Sequence, residues 1–288
     1  MILPFIVAGL VTGALFALCG VGMLVLYRTT GVLNLGYGAL GAISAMVAWQ
    51  LVEMRLQPVL AYLIGVLCAT LLSLAFGWLA GPYIASVPTV VKATSTLGLA
   101  LVILGTMLFL WNDKARTLRL PTDTVGFTVF DTRVTLTQLV CLGLALAVVI
   151  GTSLFLRASS TGASMRALAS DRELAAMLGV PVRRVELQAW TVSGALAGLS
   201  GILLASQTRL EPGFLTFLII PILAAVVIGR FHSLAGTLAG GLIVGVMQAV
   251  ASAYPATASF SNATPFVVAT IVILYLQRKK VVKIEVTA

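Results

Sequence analysis

Long apolar runs separated by short polar punctuation dominate the chain. Nine can be marked, at residues 4–26, 36–52, 59–80, 94–111, 135–156, 187–206, 216–229, 234–254 and 265–276. A helix needs roughly 20 apolar residues to cross the hydrocarbon core. Lipid offers no hydrogen-bond partner to a bare backbone, so such runs are helical: an α-helix satisfies its peptide groups internally. The runs at 216–229 and 265–276 are short, and are expected to tilt, to pack against neighbours or to fall short of full spans. The pattern predicts an all-α polytopic membrane protein of about eight or nine transmembrane helices, some interrupted, forming a single domain over 1–288.

Composition agrees. Of the 288 residues, 60% are hydrophobic and 9% charged, and the mean hydropathy is +1.09, whereas a soluble domain carries about 25% charged residues. The first run has no basic segment before it and is too long for the apolar core of a signal peptide, so it reads as the first span. Cys19, Cys68 and Cys141 fall inside apolar runs, are odd in number and have no ligand spacing, which points to neither a disulfide nor a metal site. A net charge of +9 on a soluble protein would suggest nucleic acid. On this one it follows the enrichment of Lys and Arg in cytoplasmic loops, and no nucleic-acid partner is expected.

The same charges orient the chain. The longest polar stretch, 157–186, holds Arg157, Arg166, Arg172, Arg183 and Arg184, and the tail holds Arg278, Lys279, Lys280 and Lys283. Both are predicted to be cytoplasmic, and the four runs between them make that consistent. Arg28, Lys92 and Arg230 then also lie inside, the N-terminus outside and the C-terminus in the cytoplasm. The outer loop 112–134 is mixed: Lys114, Arg116, Arg119 and Arg133 against Asp113, Asp123 and Asp131.

Small residues gather inside the spans. Gly9/Gly13, Gly194/Gly198, Gly236/Gly240 and Gly241/Gly245 are each four apart, which puts each pair on one helix face and allows close helix approach. Two stretches, 28–41 and 229–241, follow an apolar run, break it with Gly and polar residues and resume as a Gly-rich helix. Interrupted helices at matching places in two halves often mark a transport pathway, because irregular backbone at membrane depth must line a cavity or be buried in protein. Asn34, Tyr37, Gly38, Gly229, Ser233 and Gly236 are the candidate pathway residues, with His232 a further polar group there. Ordinary interhelical hydrogen bonding is the alternative for the polar ones and helix packing for the glycines.

The stretch 157–186 is neither linker nor span. Met165, Leu168, Ala169, Leu174, Ala175 and Leu178 recur near helical spacing, interrupted at Asp171 and Arg172. Ser170 with Glu173 has the capping-box arrangement, and Gly179 followed by Pro181 is a helix stop. One or two short cytoplasmic helices are predicted, built to dock on something; a merely solvated charge run would not need Met165, Leu168, Met177 and Leu178.

Residues 162–185, GASMRALASDRELAAMLGVPVRRV, resemble the cytoplasmic coupling loop of branched-chain amino acid ABC transporter permeases of the LivH type. That family shows G-R-A-x-R-A-x-A-x-D/N-x-x-x-A-x-x-L-G-I/V at this place. Asn34-Leu35-Gly36-Tyr37-Gly38 is similar to the family's I-N-F-A-H-G run, with Tyr37 where the family usually has His. Residues 224–241 resemble its A-V-L-G-G-I-G-S-x-x-G-A-x-x-G-G run, with Arg230, Phe231 and His232 replacing small residues. The resemblance implies an importer subunit in the bacterial inner membrane, paired with a second permease of the LivM kind, with ABC ATPases below and an extracytoplasmic substrate-binding protein above. It also implies a branched-chain or other small amino acid as solute, with urea or short amides as the alternative. Arg166, Leu168, Asp171, Glu173, Leu178 and Gly179 become the ATPase-coupling residues. The chain has no G-x-x-x-x-G-K-[ST] run, so it is not expected to be an enzyme or to bind a cofactor itself, and ATP would act on the partner subunits.

Two other classes compete. Gly198-Leu199-Ser200-Gly201 and the His232/Gly236/Gly240 spacing resemble an intramembrane serine protease. A Ser–His pair must meet within about 3 Å, but the topology puts Ser200 about 20 Å deeper than His232 at 1.5 Å per residue. An ion-coupled secondary transporter would need ionisable residues within spans; Asp113, Asp171 and Glu211 all fall in predicted loops or at span ends.

Overall fold

The computed structural model describes residues 3–118, 126–129, 132–258 and 260–285. The helices are α1 (Leu3–Thr30), α2 (Tyr37–Glu53), α3 (Pro58–Leu79), α4 (Gly81–Ile84), α5 (Thr89–Trp111), α6 (Leu136–Ala158), α7 (Ser160–Ser170), α8 (Arg172–Met177), α9 (Val182–Gln207), α10 (Pro212–Phe217), α11 (Ile219–Ile228), α12 (Leu234–Ala253), α13 (Pro255–Ala258) and α14 (Thr264–Glu285). Between α5 and α6 a short antiparallel hairpin pairs β1 (Gly126–Val129) with β2 (Thr132–Thr135), an element that the apolar pattern does not predict. Thr135 then caps α6 in a reciprocal box with Gln138.

All nine apolar runs are helical. Among the described residues, six helices are long and apolar enough to cross a bilayer: α1, α3, α5, α6, α9 and α12. The run 216–229 is not one helix. It is divided at Leu218 into α10 and α11, because Pro221 has no N–H to return to the Phe217 carbonyl.

The bundle is layered. α1 and α9 are nearly enclosed, while α3, α5 and α6 turn most of their apolar surface outward, as lipid-facing helices must when the solvent is itself apolar. Glycine makes the enclosure possible. α1 and α12 run antiparallel in contact: a Cβ at Gly245 would lie 2.3 Å from Gly13 Cα, and one at Gly241 would lie 2.7 Å from Gly13 O. Gly194 and Gly198 seat α9 on Ser73, Thr70, Val66 and Ala69 of α3. Ser73 Oγ donates to Trp190 O at 2.8 Å, so a span-embedded hydroxyl is satisfied across the same seam.

Charge sorts to the two ends. Arg28, Lys92, Arg157, Arg166 and Arg172 converge at one end with His232. At the other, Trp111 Nε1 donates to Gln50 Oε1 at 3.0 Å, Arg116 stacks over Trp49 and pairs by backbone with Leu210, and Gly213 N donates to Asp113. The basic stretch and the mixed loop therefore occupy opposite ends. Arg119, Asp123 and Asp131 lie outside the described residues, as do the side chains of Arg133, Arg278, Lys279, Lys280 and Lys283.

Gly245→Val is expected to overpack the α1–α12 seam and cost about 1–3 kcal/mol or more, lowering the thermal midpoint in detergent. Gly98→Ala, with nothing within 4 Å of the added Cβ, is expected to leave it unchanged.

Candidate translocation centre and docking face

The first interrupted stretch is a true break within the bundle. α1 ends at Thr30, and Gly31 turns the chain at φ +68°. Residues 31–36 run back alongside α1 without helical structure. Tyr37, which opens α2, then lies over Gly22, where a Cβ would sit 2.2 Å from its hydroxyl. Gly22 is eight residues before the end of α1, about 12 Å along the axis. α2 therefore begins deep in the apolar interior. Such backbone survives there only if its polar groups are satisfied. Val32 N donates to Thr30 Oγ1 at 3.1 Å, and Gly36 N to Asn34 Oδ1 at 3.0 Å. Thr96 of α5 is the cross-helix clasp: its Oγ1 accepts from Leu35 N at 3.0 Å and lies 2.8 Å from Leu33 O and from Ala93 O.

Asn34 and Tyr37 are fully enclosed. Asn34 Nδ2 has no hydrogen-bond partner among the described residues. Tyr37 Oη forms no well-directed bond, with Cys19 and Ser200 its polar neighbours. Tyr37, Gly38, Gly41 and Ser200 line a cavity of about 10 Å³ together with Leu215, Leu218 and Ile222, room for about one water. The α10–α11 break thus meets the start of α2. α9 closes the group: Ser44 Oγ donates to Gly198 O at 3.1 Å, and Gly201 lies against the Gly41 backbone. Two helix discontinuities converge on one small centre, an apolar-lined cavity to which the side chains of Tyr37 and Ser200 bring hydroxyls.

The second expected interruption, 229–241, lies elsewhere. Gly229 is pressed against Thr237, whose Oγ1 would be 2.4 Å from an added Cβ. Arg230 and Phe231 adopt φ of 55° and 56°, and Ser233 caps α12 by accepting from Gly236 N at 3.0 Å. This is a tight turn between α11 and α12 at the basic end, and Gly229, Ser233 and Gly236 belong to it. Asn34, Tyr37 and Gly38 are brought together at the centre, apart from those three. The counterpart of the first break is at Leu218, signalled in the sequence by Pro212 and Pro221 rather than by glycines.

Residues 157–186 form the two short helices expected, with the second start moved by one residue. Asp171, not Ser170, caps α8, its carboxylate accepting from Leu174 N at 3.0 Å; Ser170 is the last residue of α7. Ser159 caps α7. Gly179, at φ +84°, ends α8, with Gly179 N donating to Ala176 O and Val180 N to Ala175 O, the Schellman arrangement. Glu186 of α9 pairs with Arg172 at 2.8 Å. The apolar residues divide by role. Met165, Leu168 and Ala175 are buried against Val25, Leu26, Val185 and Trp190 of the chain itself, which fixes α7 to the ends of α1 and α9. Leu168, expected on the docking face, is 5% exposed. Leu174, Met177 and Leu178 instead stand 54%, 84% and 76% exposed, beyond the ends of the spans, and Arg166, Asp171, Glu173 and Gly179 are exposed around them. Met177 and Leu174 are the surface residues that the candidate set lacked.

Ser200 and His232 do not form a pair. Ser200 Oγ lies 2.6 Å from the Leu196 carbonyl of its own helix at the central cavity, whereas His232 is exposed at the basic end with Nδ1 2.8 Å from Arg230 O. Among the described residues, no Asp, Glu, Lys, Arg or His is buried.

Residues 5–276 match the family model described as branched-chain amino acid transport system / permease component. The chain is 25% identical to the high-affinity branched-chain amino acid transport system permease protein LivH of Salmonella typhimurium, covering 93% of this chain and 91% of that one. It is 24% identical to the corresponding permease protein BraD of Pseudomonas aeruginosa, covering 85% and 84%. A probable branched-chain amino acid transport permease protein LivH of Methanocaldococcus jannaschii is 35% identical over 38% of this chain and 35% of its own length.

Thr96→Val keeps the side-chain shape and removes the clasp, leaving Leu35 N and Leu33 O without it. A loss of about 1–3 kcal/mol is expected, read as a lower thermal midpoint and as faster hydrogen exchange of the Leu35 amide than in the parent.

Proposed function

The chain belongs to the branched-chain amino acid transport permease family, and from that membership we propose that it is the membrane-spanning subunit of an ATP-driven importer. The solute is a branched-chain or other small amino acid. It is handed over by an extracytoplasmic binding protein, and the work is done by ABC ATPases on the cytoplasmic side. The basic end faces the cytoplasm, which puts the N-terminus outside and the C-terminus inside, and a second permease subunit of the LivM kind completes the pathway. The chain holds no cofactor of its own in this reading.

The observation that carries the proposal is the α7–α8 hairpin. Its inner face is welded to α1 and α9 through Met165 and Leu168, while Leu174, Met177 and Leu178 project outward. Three large exposed apolar side chains, with Arg166, Asp171 and Glu173 also exposed on the hairpin, would form a handle for an ATPase groove. A displacement of α8 passes through the buried layer into α1 and α9. Both helices border the central cavity, so the lever ends at Tyr37 and Ser200. ATP acts by favouring one of two arrangements of the bundle, and can shift them only through a difference in affinity.

Asn34, Tyr37 and Gly38 would line the solute path where the two breaks meet. The Asn34 amide is enclosed and its Nδ2 has no partner among the described residues, so it would become a donor to a carboxylate or carbonyl only when the break opens. Gly229, Ser233 and Gly236 would shape the cytoplasmic exit. The cavity of about 10 Å³ is too small for an amino acid, so the centre would have to widen for solute to pass.

Replacing Leu174, Met177 and Leu178 together by Ser is expected to reduce ATPase co-purification and solute-stimulated ATP hydrolysis by about tenfold or more while membrane insertion and thermal midpoint stay unchanged. Leu168→Ala is expected to lower the midpoint by removing about 2–5 kcal/mol of packing. Full ATPase recruitment by the triple variant sinks the docking assignment.

A further inference from the structure

The basic end holds two adjoining clefts beside the lever and apart from the central cavity. One, of about 290 Å³, lies between the ends of α1, α6 and α7 and the start of α12, with Arg28, Arg157 and Arg166 on its rim. The other, of about 430 Å³, lies where α1 meets α5, α7 and the Arg230–Ser233 turn, with Arg28, Lys92 and Arg172 on its rim. Arg28 and His232 border both. No carboxylate lines either cleft, and the single ion pair among the described residues joins Arg172 to Glu186. Of the five cations on the two rims, Arg172 is balanced by Glu186, and Arg28, Lys92, Arg157 and Arg166 have no ion-pair partner among the described residues.

We propose that these clefts bind a phosphate ester, with Arg28 as the shared anchor. Like charges in a half-enclosed cleft repel, and the repulsion is relieved only by an anion. Guanidinium forks match phosphate oxygens two at a time. The smaller cleft adds apolar lining from Leu24, Val25, Leu156, Met165 and Leu234, of which Leu24 and Val25 stand about one turn deeper along α1 than Arg28. That order, charge above and hydrocarbon below, suits a phosphate carrying a glycerol or similar stem. It also lies at the ends of apolar helices, where basic pockets meet lipid headgroups. A free phosphate and an anionic phospholipid share this chemistry. The inference does not rest on the transport reading, since it needs only the cavity, its charges and a membrane. Because Met165 walls the cleft from α7, occupancy would also brace the lever.

The test uses the full chain with whatever subunits accompany it, in nanodiscs of phosphatidylcholine alone or with added phosphatidylglycerol. Two quantities are read: phosphatidylglycerol retained per chain by native mass spectrometry, and the thermal midpoint. The phosphatidylcholine discs are also titrated with inorganic phosphate. A midpoint raised by phosphatidylglycerol, with the lipid retained, identifies a lipid headgroup; a midpoint raised by inorganic phosphate alone identifies a free phosphate. In either case Arg28→Gln is expected to weaken binding about tenfold, and Lys92→Gln serves if that variant fails to insert. Arg184→Gln removes one charge from an exposed α9 position that lines neither cleft and is expected to keep the effect. No response to either probe overturns the proposal, and so does an equal loss with Arg184→Gln, which would reduce the site to general surface charge.

Discussion

A polypeptide inside a bilayer cannot surrender a backbone hydrogen bond to solvent, and this chain nevertheless leaves helical structure in its middle. The contradiction is resolved by Thr96. One hydroxyl from α5 reaches the amide of Leu35 and the carbonyl of Leu33, and Asn34 Oδ1 and Thr30 Oγ1 accept from the amides of Gly36 and Val32. With that clasp in place the chain can reverse after α1 and launch α2 from the interior. Without it the reversal would have to lie at the membrane surface, and α2 would be an ordinary span with no discontinuity to offer.

The rest of the centre follows from that start. A helix beginning at depth needs neighbours that tolerate its backbone, and these are the glycines of α9 and the broken α10–α11 pair. Gly41 against Gly201 and Leu215 and Leu218 beside Tyr37 bring two helix ends to one place. Glycine faces elsewhere, as between α1 and α12, bring the helices of the frame into close backbone contact, which under the proposed mechanism would carry a displacement of α7 to the centre. Frame and centre depend on the same residue type used in two ways: close approach in one, interruption at Gly31 in the other.

Much of this was legible in the sequence because membrane physics is strict. Apolar runs became helices, glycines four apart became contact faces, and basic residues gathered at one end. The break at 31–36 was legible because Gly and Asn stood where a span should continue. Three features were not. The glycines of 229–241 do interrupt the helix, but Ser233 and two residues of positive φ make that interruption a tight corner at the basic end, apart from the first break. The true second break carries no glycine at all and depends on Pro221 withholding an N–H, a signal that an unbroken apolar run conceals. Burial of Leu168 beside exposure of Leu174 and Met177 could not be read from spacing, since α7 and α8 are separate helices whose faces are set independently by the cap at Asp171.

The central claim is mechanical: a docked hairpin driven from one face moves a closed centre. It is tested most directly by solute uptake into proteoliposomes containing the chain with its co-purified subunits. The binding protein is supplied at one face, ATP at the face bearing α7 and α8, and all ion gradients are collapsed. Uptake that proceeds under these conditions and stops when ATP is withheld is the predicted result; uptake that ignores ATP and follows an imposed ion gradient contradicts it.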